Sequence, residues 1–546
     1  MTKRIFIGVA LPYVNGNLHI GHLAGYLIPA DIFSRFSRLR GYETLMVSGT
    51  DCHGTPITIE ADKRKISPQE LVKEYNPKVL DLIATYQTTY DIFTSTITEN
   101  HKKITQDFFL NLLKNGYILK EKSYQYYSRS ENRFLPDRYV EGECKFCLAK
   151  EQRGDQCENC GRSLDPGDLI NPKSKLTGTE VILKETEHYF FDYSKLQKEI
   201  EDFVLSSNHW REWVYKETLG FLKEGLKKRA ITRDIDWGIP LPKEKIPENF
   251  LIKNIDQKRF YVWFEAVIAY FSATLEWSKK NNKNWEDFWL DPSCRHYYFM
   301  GKDNLIFHTI FWPAELIGQD KGYNLPYFPA VNNFLLLEGK KISKSRGIHI
   351  DSLEIAKDYG VDNVRFYISS ILPENKDADF KWQEFKDRVN NELVDKIGNF
   401  IHRVLTFYES KLHQKIEHQN LDNEILNKTG DVIREYEKHL ERCQIVTAFN
   451  LVLDYVNFAN QYLDKEKPWS LKNRKKIEEI IFSSLQIINN LGILLWPFIP
   501  QSMEKLNEIL GLKIQPKVDK NYFIFQPIKN FKLKAKPEPL FKKLIT

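Results

Sequence analysis

Three clusters of residues in this 546-residue chain have the types and spacing to do chemistry. His19-Ile20-Gly21-His22 lies where an apolar run gives way to a helical pattern. Backbone N–H groups at a helix N-terminus attract phosphate, Gly21 lets a flat base approach the backbone, and two imidazoles can donate to phosphate oxygens. Lys341-Ile342-Ser343-Lys344-Ser345 follows a second apolar run. Its two ammonium groups can clamp a triphosphate and neutralise the charge that grows on a departing pyrophosphate. Cys144-x2-Cys147-x9-Cys157-x2-Cys160 brings four thiolates within tetrahedral reach of one Zn2+ ion. Because all four ligands are cysteine, no coordination position stays open, and the zinc is expected to be structural, closing a local fold that lacks a core of its own.

These residues need elements to hold them. Residues 4–12 form an apolar run suited to a buried parallel strand, and a Gly-containing turn at Asn15-Gly16-Asn17 leads into a helix ended by Gly41. ETLMVSGTD reads as a second buried strand that delivers Asp51 at its carboxyl end, so an open α/β sheet is expected with its site at the strand ends. From about 116 to 240 the texture changes to short aromatic-rich segments, the cysteine knuckle and turns such as LDPGD, with no helical period over any long window. The α/β texture resumes in FYVWFEAVIAYFSATLEW and YYFMGKDNLIFHTIFWPAEL, and AVNNFLLLEG reads as one further strand. The sheet is therefore split in sequence by an insert. From about Glu384 onwards the pattern is amphipathic helix, closing on KLKAKPEPLFKKLIT, which has the charge and prolines of an extended tail.

The length demands several packing units, and 42% hydrophobic residues supply core for them. The longest apolar runs are short of the roughly 18 residues of a membrane span, and Pro12 interrupts the only stretch resembling a signal peptide, so no membrane partner is expected. A net charge of +6 fits transient contact with a polyanion better than tight binding to any nucleic acid. Seven cysteines, four of them clustered, fit a metal site plus free thiols in a reducing, cytoplasmic compartment.

Taken together, HIGH near the start of a split sheet and KISKS after it resemble the two signature motifs of class I aminoacyl-tRNA synthetases. ALPY before HIGH, FLPDRYV ahead of one four-cysteine knuckle, YVWFEA and GKDNLIFHTIFWPA resemble the methionyl-tRNA synthetase family over nearly the whole chain. The resemblance implies a class I Rossmann-type nucleotide-binding fold split by a zinc-containing connective insert, followed by a C-terminal all-α anticodon-binding helix bundle. It implies halves of the catalytic domain at 1–115 and 241–325, the insert at 116–240, a KISKS-loop domain at 326–383, and the bundle with its tail at 384–546. ATP, carried with Mg2+, would be bound by His19, Gly21, His22, Lys341, Ser343 and Lys344, with Arg233 beside the adenylate. The methionine pocket would comprise Leu11, Tyr13, Trp263, Ala266, Tyr270 and His308, with Asp51 holding the α-amino group. An unbranched thioether suits such aromatic edges with one hydroxyl or imidazole reading the sulfur. Asn399 and Arg403, four apart on one helix face, and Trp469 match residues that read and stack on the anticodon of tRNA. Val267 and Asn304 depart from the family pattern around the pocket.

The implied activity is ATP-dependent formation of methionyl-adenylate and transfer of methionine to the 3′ end of its tRNA, by positioning and charge stabilisation rather than a covalent enzyme intermediate. The insert leaves no room for the editing domain of the leucine, isoleucine and valine enzymes, and a closed all-cysteine knuckle argues against the cysteine enzyme. A catalytically silent RNA-binding protein on this fold is the remaining rival. Because the chain stops after its helical domain, a monomer is expected.

Overall fold

The computed structural model describes residues 3–545 except 137–138, 155–156, 158, 161–163, 165, 344–346, 413–415, 418–420 and 512–529. At its centre is a five-stranded parallel sheet, ordered Pro326–Asn332, Arg295–Gly301, Arg4–Val9, Glu43–Thr50, Ile92–Ser95. The first strand is the middle one, and every residue from Ile5 to Val9 is buried, as a parallel strand covered on both faces requires. Strand order reverses about it: Gly8 pairs with Val47 on one side and Tyr298 on the other. A ligand crevice belongs outside the carboxyl ends at such a switch point. Gly8 also lets aromatic rings lie against the sheet, because a Cβ there would stand 2.6 Å from Tyr298 and 3.1 Å from Tyr270.

The chain leaves this strand through a short helical turn at Ile20–His22, a wide π-type turn at Leu23–Leu27 and the helix Ile28–Leu39. A π-type turn disturbs the regular carbonyl pairing. Here Asn332, at the end of the edge strand, donates from Nδ2 to Ala24 O (3.2 Å) and Gly25 O (3.0 Å).

The segment between the sheet halves is built on a long antiparallel pair, Ile118–Ser128 with Val181–Phe191, beside a small sheet of Val140–Cys144, Gln152–Arg153 and Leu169–Ser174. Its small separate core gathers Tyr126, Leu135, Val140, Leu169 and Val181 with Cys144 and Cys157. The expectation of no helix in this stretch fails at Gln197–Ser206 and Glu212–Lys223. These helices bury only Ile200 and Val204, and Val214, Thr218 and Leu222. Such stripes are too short to register as a period in a long window. AVNNFLLLEG is likewise two strands: Pro326–Asn332 ends the central sheet, and Leu335–Leu337 joins a small sheet with Lys340–Lys341 and Ala378–Phe380. The chain changes sheets at Asn333, whose N–H goes to Pro373 O at 2.8 Å.

The C-terminal part is helical, with Asn399–Lys411, Asn423–Glu441, Ile445–Glu466, Arg474–Leu495 and Pro500–Leu510 packed together. Among the described residues one helix, Arg474–Leu495, is long and apolar enough to cross a membrane, but most of it is buried in this bundle. The tail lacks a regular element over 532–545 yet is docked. Phe541 is buried against Gly398, and Leu544 exchanges hydrogen bonds with the Asn390 side chain at 2.7 and 3.1 Å.

Glu315, in the helix Trp312–Gly318, is fully buried, and neither carboxyl oxygen has a hydrogen-bond partner among the described residues. Burial pushes this carboxyl well above its ordinary range. A group raised in the folded state keeps its full contribution to stability below its unfolded pKa and loses it as the pH climbs through the folded one. Glu315→Met should therefore stabilise the protein by about 1–3 kcal/mol at pH 8, with the gain shrinking towards pH 5, as read from denaturant unfolding at several pH values. A variant less stable than the parent at pH 8 would contradict this account.

Candidate active site and anticodon face

At the switch point the chain beyond the first strand is stitched to the second: Asp51 N–H donates to Pro12 O (2.9 Å) and Val14 N–H to Asp51 O (3.3 Å). A cavity of about 490 Å³ opens there, lined by Leu11, Tyr13, His19, Gly21, His22, Asp51, Arg233, Trp263, Ala266, Tyr270, His308 and Lys341, residues drawn from six separate stretches of chain. Ser343 closes the adjoining loop, and Lys344 lies outside the described residues.

His19 and His22 act first on their own backbone. His19 Nδ1 accepts from Gly21 N–H and His22 Nδ1 from His19 N–H, both at 3.1 Å, a reciprocal cap on the helical turn. With Nδ1 accepting, each neutral ring carries its proton on Nε2, which makes that nitrogen the donor. A Cβ on Gly21 would stand 2.9 Å from the His19 ring, so any larger residue would displace the cap.

The two motifs are tied to one another. Ile20 N–H donates to Ile350 O (3.1 Å) and Ser352 N–H to Leu18 O (3.0 Å). Ser343 and Ile348 exchange both backbone hydrogen bonds, at 2.7 and 3.0 Å, pinning the ends of the lysine loop. Lys341 is exposed at the cavity rim, its Nζ 4.8 Å from the centre of the Phe334 ring. Arg233 forms another wall: Nη1 donates to Ala230 O (3.0 Å) and Thr232 O (2.9 Å), and the guanidinium lies 4.0 Å from the Tyr261 ring centre.

The cavity is aromatic and uncharged at its deep end. His308 Nδ1 donates to Asn304 O (2.9 Å), so Nε2 accepts the Tyr270 hydroxyl at 2.8 Å. Burial lowers His308 to about 4 and pushes Tyr270 well above its ordinary value, which keeps both neutral. Trp263 stacks on Phe307 with ring centres 4.1 Å apart. Asp51 is buried nearby, and its carboxyl is raised well above the usual range by burial first and by the charge of Glu265 second. Sequence reasoning did not single out Phe307, Tyr26, Glu265, His53 or His101. Each sits in an apolar helical or strand-end stretch where an aromatic or a lone polar residue looks like ordinary core.

Two further groups lie apart from this cavity. The Sγ atoms of Cys144, Cys147, Cys157 and Cys160 lie within 4.8 Å of one another, against about 3.8 Å for the edge of a tetrahedron with metal–sulfur bonds of about 2.3 Å. Cys147 is held down to about 6, first by the Ala149 backbone N–H and then by the Asn159 side chain, so it is readily a thiolate. The cluster fits a metal ion. In the helical part, the Arg403 guanidinium lies 5.1 Å from the ring centre of Trp469, which is 50% exposed. These two residues line a groove of about 330 Å³ with His402 and Phe407, and Asn399 is exposed one turn earlier on the same helix. Arg403 is steadied by Asp464 at 2.9 Å.

A parallel sheet with histidine and lysine loops bridged at its switch point, an inserted knuckle and a trailing helix bundle defines a class I aminoacyl-tRNA synthetase. The family model for tRNA synthetases class I (M) matches residues 5–405, and that for the anticodon binding domain of methionyl tRNA ligase matches 414–546. The methionine–tRNA ligase of Dehalococcoides mccartyi is 42% identical over 552 residues, covering 100% of this chain and 98% of that one. The corresponding ligase of Thermomicrobium roseum is 40% identical over 521 residues, covering 94% and 88%. The chain belongs to the methionine–tRNA ligase family. The crystal structure of Mycobacterium tuberculosis methionyl-tRNA synthetase bound by methionyl-adenylate has the same fold, with a TM-score of 0.80 at 20% identity over 99% of this chain and 100% of that one.

Because Cys144 and Cys157 also belong to the insert's small core, metal loss should unfold that segment and leave the parallel sheet intact. Cys144→Ser should abolish stoichiometric metal in elemental analysis and open the 140–174 amides to hydrogen exchange. Unchanged protection in a metal-free variant would remove the case for a structural ion.

Proposed function

We propose that the chain activates methionine with ATP and transfers it to the 3′ end of the methionine tRNA. The observation that carries this reading is the single cavity in which both motif loops meet a neutral, aromatic-walled recess beside a buried acid. In the first step the methionine carboxylate attacks the α-phosphorus of ATP in line and pyrophosphate leaves; in the second the terminal ribose hydroxyl of the tRNA attacks the adenylate carbonyl and AMP leaves.

No side chain need become covalent. His19 and His22 would donate from Nε2 to phosphate oxygens, while Lys341, Lys344 and Ser343 on the loop would hold the charge of the leaving pyrophosphate. Arg233 would face the adenylate, and Gly21 would lie under the base. Mg2+ carried with the ATP would offset part of its charge. Asp51 would receive the α-ammonium. Leu11, Tyr13, Trp263 and Ala266 would wall the side chain, with the Tyr270 hydroxyl, held in place by His308, beside the thioether sulfur.

Asn399, Arg403 and Trp469 are read as the anticodon face, an amide, a guanidinium and an exposed indole being what unstacked bases require. The four cysteines would hold a structural Zn2+. In domain terms, 1–115 and 241–332 form the catalytic halves, the expected boundary at 325 moving because the strand Pro326–Asn332 belongs to the central sheet; 116–240 is the insert, 333–383 the lysine-loop unit and 384–546 the bundle with its tail. The working form is read as a monomer in the cytoplasm.

Amino-acid-dependent exchange of pyrophosphate into ATP, run with all twenty amino acids, tests the first step. Methionine alone should support exchange, and Lys341→Ala should reduce it by about 10²-fold or more; exchange with a different amino acid would overturn the pocket assignment. Trp469→Ala separates the two sites: it should leave exchange unchanged and weaken use of the tRNA by about tenfold, the value of one lost base stack. Equal loss in both assays would show that Trp469 is a packing residue of the fold.

A further inference from the structure

Beneath Asp51 lies a buried polar chain that the mechanism above does not use. Glu265, on the helix Val262–Asn281, is completely buried. Its Oε1 accepts from His53 Nδ1 at 2.9 Å and its Oε2 from His101 Nε2 at 2.6 Å. His101, on the helix Glu99–Lys114, is engaged at both nitrogens. Its Nδ1 lies 2.9 Å from Ser272 Oγ, which also reaches Ala269 O at 3.2 Å. A carboxylate held on both oxygens cannot turn, and it fixes His53 with its proton on Nδ1. From His53 the chain reaches the candidate ammonium site, because its backbone N–H donates to Asp51 Oδ1 at 3.2 Å. Cys52, between them, is clamped by Thr96 Oγ1 on its N–H (3.0 Å) and Trp237 Nε1 on its carbonyl (2.7 Å).

The geometry points to Glu265 as a positioning residue for amino-acid binding: through His53 it holds Asp51 ready for the α-ammonium, and its buried charge reserves the site for a cation. This rests on the methionine-activating reading. The groups facing Glu265 are His53 from the strand-end loop, His101 from the neighbouring helix, Asp51 across the pocket edge and the Cys52 thiol. Burial alone would raise Glu265, but His53 and His101 bring it down to about 2. It therefore stays ionised and disfavours a second negative charge on Asp51 until an ammonium arrives. Methionine binding should weaken as the pH falls through the raised Asp51 pKa, because the protonated acid no longer attracts the ammonium. Removing the Glu265 charge lowers that pKa and moves the inflection to lower pH.

The test is pyrophosphate exchange by Glu265→Gln across pH, with KM for methionine, KM for ATP and kcat measured separately. We expect KM for methionine to rise about tenfold, the signature of lost uniform binding, with KM for ATP and kcat within about twofold. The inflection of KM for methionine should move to lower pH, and Glu265→Asp should recover part of the loss. An unchanged KM for methionine with an unmoved inflection would overturn the proposal, leaving the chain a mere tie between helices. So would equal rises in both KM values. Should Glu265→Gln fail to fold, His101→Gln carries the same expectation, and an unchanged KM for methionine there is equally fatal. A parent enzyme that exchanges no pyrophosphate with methionine would instead sink the underlying reading.

Discussion

The arrangement depends on one buried guanidinium. Arg365 is fully buried and donates to Asp31 Oδ2 (2.7 Å), Tyr86 O (3.2 Å), Pro497 O (2.8 Å) and Phe498 O (2.9 Å). Asp31 is also fully buried and takes Arg35 Nε at 2.9 Å, while Arg35 lies 4.6 Å from the Trp496 ring centre. Burial would raise Asp31, but the two guanidinium groups together hold it below its usual range. Removing one member of such a set leaves a charge stranded in the interior at a cost of about 3–5 kcal/mol. The residues involved belong to the helix Ile28–Leu39 after HIGH, the end of the helix Pro68–Thr85, the helix Val361–Ser370 beyond the lysine loop, and the turn between the last bundle helices. Catalytic and anticodon faces are thus parts of one interlocked body.

The same logic operates on a smaller scale between the motifs. Leu18 and Ile20 share backbone hydrogen bonds with Ile350 and Ser352, and the Tyr86 hydroxyl donates to Ser352 O at 2.8 Å. Three distant stretches therefore set the distance between histidine turn and lysine loop before any ligand binds. Under the proposed reading this is the preorganisation on which charge stabilisation of a transferring phosphoryl group relies.

Where the chain pattern is local, the sequence exposes it. Within the run 4–12 and ETLMVSGTD, Arg4–Val9 and Glu43–Thr50 are parallel strands because unbroken apolar runs with turn residues at each end have few other uses. The four cysteines close on one another because their spacing leaves little choice. The insert helices escaped because two or three buried positions make no period. AVNNFLLLEG hid a change of sheet because Asn332 and Asn333 find partners in remote segments, Ala24, Gly25 and Pro373. Glu265, His53 and His101 escaped for the same reason: none forms a motif with its own neighbours, and their relation exists only once two helices and a strand end have packed.

The cavity sorts charge along its length, and that sorting follows from burial rather than from the identity of any one residue. At the deep end His308 and Tyr270 are kept neutral by desolvation, so the recess can only favour an uncharged side chain with a weakly polar atom. In the middle, Asp51 above Glu265 makes a buried anionic point that gains most from an ammonium. Towards the rim, Arg233, Lys341, His19 and His22 line the cavity with side chains of cationic or donor character. Under the proposed reading, a molecule that satisfies all three zones carries an apolar tail, an ammonium and a polyanion in that order, which is the sequence of groups in a methionine laid against ATP. A substrate with its charge at the wrong depth would meet an uncompensated desolvation penalty of several kcal/mol, so the gradient discriminates before shape is consulted.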